Sequence, residues 1–215
     1  MNVVIIPGFL GHPDEVAFRD LRNLLEANGH QVTEVAWPHF ADDLDKYSFS
    51  ETLTHARTVI AALPKDDLGL LGFSMGGIIA TILASEFQPA KLGLIVSPYR
   101  VGTDDDLAGK YKSWQTTGYR DVTSSIHGEL RIPFSFVEDA QKYDARDYIA
   151  SVRCPKLFIA GELDDKTLPA TAKQLFEKAN EPKEWHLIPG MQHRYQYQSP
   201  AMLAKVNEII VSFVG

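Results

Sequence analysis

The chain can form no intramolecular disulfide, because Cys154 is its only cysteine. Nothing in its thiol content requires an oxidising compartment. No apolar run reaches the roughly 18 residues of a spanning helix, so a transmembrane segment is not expected. Basic tracts are missing as well. Lys and Arg number 21 against 28 Asp and Glu, a formal net charge of −7, which disfavours nucleic acid and anionic membranes as partners. There is no Cys/His cluster of zinc spacing, no Gly-x-x-x-x-Gly-Lys loop and no Gly-x-Gly-x-x-Gly. Neither a metal nor a nucleotide cofactor is indicated. The opening Met1-Asn2-Val3-Val4-Ile5-Ile6-Pro7-Gly8 lacks the basic start and apolar length of a signal peptide. These absences lead us to expect a soluble, cytoplasmic protein.

What is present is ordinary globular material. Hydrophobic residues make up 45% and aromatics 10% of the 215 residues, enough for a sizeable core in one domain. Val3 to Ile6 is a short β-branched run stopped by Pro7-Gly8 and reads as a buried strand. From Asp14 to Asn28 the apolar positions Phe18, Leu21, Leu24 and Leu25 share a helical face, and Gly29 stands where a helix ends. Val32 to Trp37 is a weaker strand. Ser48 and Glu51 are spaced as a capping box for a helix running to about Leu63. Strands are expected at Leu68–Phe73, Leu92–Val96, Lys156–Ala160 and Glu184–Ile188. A helix that is apolar nearly all round follows from Gly76, and others span Pro169–Ala179 and Pro200–Val214, the last with Ser199 as its cap. This alternation predicts βαβ units and a mostly parallel sheet with helices on both faces. Between Ser97 and Lys156 the rhythm breaks and aromatics gather. That stretch reads as an insertion or small cap rather than a separate domain.

The sharpest local signal is Gly72-Phe73-Ser74-Met75-Gly76, set between a strand and a buried helix. A serine lifted on such a turn is exposed above the sheet edge, and the helix start behind it offers free backbone N–H groups to an oxyanion. Serine needs a base. Of His12, His30, His39, His55, His127, His186 and His193, the loop residue His193 is best placed, after a strand and before the last helix. His186 lies within a strand and His55 within a helix. A carboxylate to orient the base is offered by Asp164 or Asp165 after the Lys156 strand, with capping of the next helix as the competing role. Asp104-Asp105-Asp106 reads as a solvated loop. Gly8 permits close backbone approach, so the Phe9 N–H joins that of Met75 as a candidate oxyanion donor. Gly8, Leu10, His12, Tyr99 and Trp114 are candidate substrate contacts. Arg100, Lys110, Arg120 and Arg131 read as solvated surface, with a substrate carboxylate as the alternative contact. Cys154 reads as a packed residue.

The order Ser74, Asp164, His193, with Pro7-Gly8-Phe9 and Gly190-Met191-Gln192-His193, resembles the α/β-hydrolase superfamily. Pro7 stands where histidine is common in that family, and Asp164, three residues after Gly161, matches the family's acid better than Asp165. The resemblance covers essentially the whole chain. It implies a three-layer α/β fold with about six main strands, as in the family's minimal members. It further implies one domain over residues 1–215 with a cap near residues 100–152, and a serine hydrolase, of the carboxylesterase type, acting on a small-molecule ester without metal or organic cofactor. The cap is loosely similar to those of small bacterial carboxylesterases, feruloyl-esterase-like ones included. The same three residues also serve thioester, amide, lactone or some lyase chemistry. A non-catalytic ligand-binding protein of this fold is a second reading, and a flavodoxin-like phosphate or nucleotide binder a third. Haloalkane dehalogenation is disfavoured, because it needs an aspartate where Ser74 stands.

Overall fold

A computed structural model describes residues 1–13, 15–37, 47–64, 66–124 and 128–215. Asp14, His39 and His127 lie outside the described residues. The strands β1 (Asn2–Ile6), β2 (Gln31–Glu34), β3 (Leu68–Phe73), β4 (Lys91–Ile95), β7 (Lys156–Gly161) and β8 (Lys183–Ile188) form one six-stranded sheet in the order β2-β1-β3-β4-β7-β8. Every pairing in it is parallel. Alternate side chains of the central strands feed two separate cores. Val4, Ile6, Leu70, Leu92, Leu94 and Phe158 pack with α2 (Phe49–Ala61), α3 (Met75–Phe87) and α7 (Pro169–Lys178). Val3, Ile5, Leu71, Phe73, Ile95, Leu157 and Ile159 pack on the other face with α1 (Val16–Ala27) and α8 (Pro200–Val214). The period of two along each strand thus builds the three expected layers.

Most boundaries follow the local chemistry. Ser48 Oγ accepts from Glu51 N at 3.2 Å and Ser199 Oγ from Met202 N at 3.1 Å, so both predicted N-caps form. Gly29 takes φ +84° after α1, a conformation that strains other residues. β2 is shorter than expected. It is an edge strand, and beyond it the Trp37 indole turns inward to donate to Gly8 O at 3.0 Å.

The stretch between β4 and β7 holds α4 (Asp104–Ala108), α5 (Lys112–Thr117), the antiparallel hairpin β5 (Tyr119–Ser124) and β6 (Gly128–Pro133), and α6 (Ser135–Ala140). Two 3-10 turns, Ala145–Asp147 and Ile149–Ser151, then lead towards β7. The Asp104-Asp105-Asp106 run is not a loop. It forms the first turn of α4, where carboxylates face the positive helix end, and Asp106 completes a capping box with Thr103. Trp114, Ile132, Phe134, Phe136 and Val137 join the same core as α2 and α3. Asp139 fastens α6 to α2, accepting from Ser50 N at 2.7 Å and Ser50 Oγ at 2.8 Å. Burial pushes the Asp139 carboxyl up, but the Lys142 ammonium and the Ser50 donors outweigh it and hold the group below its usual range.

Candidate active site

All the loops that meet at the site leave the C-terminal ends of parallel strands, where open α/β sheets hold their ligands. Ser74 follows β3 directly and sits at φ 53°, ψ −123°, unusual for a residue with a side chain. The turn is possible because its neighbours are bare. A Cβ on Gly72 would stand 2.5 Å from Gly77 Cα, and one on Gly76 would stand 2.2 Å from the Ile6 carbonyl oxygen. Side chains at either position would push the turn off the sheet.

His193 lies five residues beyond β8 and points its ring at that turn. Its Nε2 is 3.0 Å from Ser74 Oγ, and its Nδ1 is 2.8 Å from Asp164 Oδ2 and 3.0 Å from Oδ1. The Asp164 side chain is fully buried. Its Oδ1 also accepts from Lys166 N at 2.9 Å and Thr167 N at 2.8 Å. Asp164 therefore organises the turn before α7 while meeting the imidazole, but it does not cap the helix, whose N-cap is Leu168 without a side-chain bond. Asp165 points away, with 72% of its side chain exposed, and pairs with Lys166 Nζ at 2.9 Å. The Lys166 ammonium holds its carboxyl below the usual range.

The loop after β1 is fixed from three sides. Gly8 O accepts from the Trp37 indole and, at 3.0 Å, from Gly11 N, while Leu10 N donates to Tyr47 Oη at 3.2 Å. Burial pushes the Tyr47 phenol far above its usual range, so it stays protonated. The Phe9 ring packs against Phe136, Tyr47 and Trp114 with centroids 4.9, 5.8 and 6.1 Å apart. A Cβ on Gly8 would reach 3.0 Å from Ser74 Cβ, so this loop lies against the serine turn. Among the described residues, neither the Phe9 nor the Met75 N–H is engaged in a hydrogen bond.

Ser74 and His193 open into a cavity of about 580 Å³, within the range of small-molecule sites. Gly8, Phe9, Leu10, Met75 and Trp114 line it, together with hairpin residues Arg120 to Ser124. His12 and Tyr99 do not. His12 N donates to Glu15 Oε1, and the Tyr99 ring is covered by the Arg146 guanidinium at 3.8 Å. His186 pairs with Glu184 on β8, His55 lies in α2, and His30 sits in the turn before β2. Cys154 is buried, which raises its thiol pKa. Three of the four basic residues read as surface, Arg100, Lys110 and Arg120, line the cavity, because the insertion folds back over the sheet edge. Arg131 stays outside and pairs with Asp121 at 2.7 Å. Tyr111, one of the aromatics gathered in the insertion, also lines the cavity, as does Tyr197, which the sequence did not single out. Among the described residues, no group of three or more His, Cys, Asp or Glu is placed to hold a metal, and no helix is long and apolar enough to cross a membrane.

Comparison with known proteins extends the picture beyond local geometry. No curated protein sequence matches this chain. Among solved structures, mouse alpha/beta hydrolase domain-containing protein 10 superposes with a TM-score of 0.81 at 17% identity, covering 99% of this chain and 89% of that one. Est1E from Butyrivibrio proteoclasticus gives 0.70 at 17% identity over 99% and 88% of the two chains, and it has been crystallised with ferulic acid. One of the metagenome-derived lipolytic enzymes LipS and LipT gives 0.76 at 18% identity over 99% and 92%. At such identities these likenesses speak to fold. The sequence profile of the Alpha/beta hydrolase family matches residues 3–206, nearly the full length. With the six-stranded sheet and the strand-end loops in place, the chain belongs to the alpha/beta hydrolase family.

Proposed function

We propose that this protein is a serine hydrolase that cleaves a small carboxylic ester through an acyl-enzyme. The observation that carries the reading is the bond pair on one imidazole, with Ser74 Oγ on Nε2 and the buried Asp164 carboxylate on Nδ1. Asp164 accepts Nδ1–H and so leaves the Nε2 lone pair free to take the serine proton. As Oγ attacks the ester carbonyl, the Ser74 proton passes to Nε2, and Asp164 stabilises the imidazolium. The carbonyl oxygen, now an oxyanion, is received by the Phe9 and Met75 N–H groups. His193 then returns the proton to the departing alcohol. Water, deprotonated by the same nitrogen, attacks the acyl carbon and releases the acid, with the proton restored to Ser74. Residues 100–152 act as a cap within the single domain, and Gly8, Leu10 and Trp114 are contacts for the substrate.

A fluorophosphonate probe with peptide mapping tests this. It is expected to label Ser74 alone in the wild type, with no label in Ser74→Ala of unchanged circular dichroism. Ester turnover is expected to drop on the order of 10⁴-fold or more in that variant. Absence of labelling in folded wild type, or turnover that survives Ser74→Ala, overturns the assignment.

A further inference from the structure

We propose that the cavity selects esters carrying a second, anionic group, a carboxylate, and that Arg100 is the residue that receives it. This deepens the ester reading of the same cavity and rests on it. Arg100 lies five residues beyond β4 and lines the cavity that Ser74 and His193 open into. Its Nε is buried and has no hydrogen-bond partner among the described residues. Nε itself is closed to water, so a ligand in the cavity meets the outer guanidinium nitrogens, and a quarter of the side chain is exposed. The carboxylate beside them holds them loosely. Asp104 stands 3.4 Å from an outer nitrogen, and its side chain is 99% exposed, so the pair is weak and screened.

The other charges of the cavity are engaged. Lys110 Nζ lies 2.8 Å from Asp106 and donates to Lys166 O at 2.6 Å. Lys166 pairs with Asp165, and Arg194 lies over the Tyr197 ring at 4.6 Å. The two carboxylates nearest the hairpin side are matched, Asp106 by Lys110 and Asp121 by Arg131. Glu15 accepts from Tyr197 Oη at 2.7 Å. Two further guanidinium groups are held more loosely, Arg100 by the exposed Asp104 and the exposed Arg120 at 5.8 Å from the Trp114 ring centroid. A planar carboxylate suits such a donor, because a guanidinium can give it two parallel N–H bonds. The carboxylate belongs either to the acyl half, as in a half-ester of a dicarboxylic acid, or to the leaving alcohol, as in an acylated hydroxy acid.

Two matched pairs of substrates separate these sources. The first is 4-nitrophenyl hydrogen adipate against its neutral methyl ester, read by nitrophenol release. The second is 4-acetoxybenzoate against methyl 4-acetoxybenzoate. The wild type is expected to prefer the charged member of one pair by roughly 10- to 100-fold in kcat/KM, and that pair identifies the half carrying the charge. Arg100→Gln is expected to abolish the preference, and Arg100→Lys to retain part of it. Arg57→Gln removes the same charge from the distant Arg57–Glu86 pair and leaves the ratio at the wild-type value. A ratio near one for both pairs in the wild type, or a preference that survives Arg100→Gln, overturns the proposal. If no ester is hydrolysed and Ser74 is not labelled, the ester reading itself has failed. Calorimetry with adipate then decides the anion site alone. Binding weakened at least tenfold by Arg100→Gln upholds it, and no binding to the wild type refutes it.

Discussion

The central sheet and the β5–β6 hairpin are both β-structure, but they are held by opposite means. β3 and β7 are buried along their whole length, β3 as an unbroken apolar run and β7 as one that follows the buried Lys156. The hairpin is mostly exposed, and its facing residues Asp121 and Arg131 form an ion pair whose side chains are 55% and 62% exposed. One region draws its stability from packing on two faces, the other from a single apolar edge, Leu130 and Ile132, pressed on the core. The consequence is a division of labour. Ser74 and Asp164 stand on the ends of buried strands, where a misplacement of an ångström is resisted by the whole core. The hairpin supplies cavity wall from a surface that tolerates change.

Substitutions can break or sharpen this contrast. The largest effect is expected beside the sheet. Asp164→Asn should lower kcat by about 10⁴-fold, because the amide favours the wrong imidazole tautomer, whereas Asp165→Asn should stay within a few-fold of wild type. Equal losses in steady-state ester kinetics would dissolve the distinction between the two carboxylates. Next comes Gly76→Ala. Its methyl group would press on the Ile6 and Pro7 carbonyls, and a loss of about 3 kcal/mol is expected in urea unfolding at unchanged m-value. The smallest effect belongs to the hairpin. Arg131→Ala should leave the thermal midpoint where it was, since exposed ion pairs contribute little. A clear fall in that midpoint would show that the hairpin braces the core.

The same contrast explains what the sequence made legible. Buried strands announce themselves, and Leu68–Phe73 matches its predicted bounds to the residue, as does the capped helix Pro200–Val214. The turn at Ser74 was readable because only glycine fits on both sides of it. The hairpin escaped notice because β5, Tyr-Arg-Asp-Val-Thr-Ser, faces water and carries polar groups on both faces. The alternation of Leu130 and Ile132 with Glu129 and Arg131 was its one available signal. The cavity role of Arg100 and Arg120 had no local signature at all. It arises from how the insertion folds back, and their residue types alone fitted a solvated surface equally well.

The spacing of the site along the chain also bears on how the protein acquires its native state. Ser74 and His193 are 119 residues apart in sequence, and Asp164 and His193 are 29 apart. His193 hangs from β8, an edge strand that pairs only with β7. Parallel pairings of such range close late, because each must first overcome the entropy of a long loop. The imidazole can reach the serine only after β3, β4, β7 and β8 are all aligned. Recovery of turnover during refolding therefore times the arrival of the last strand, and chains stalled with β8 undocked would be compact and silent.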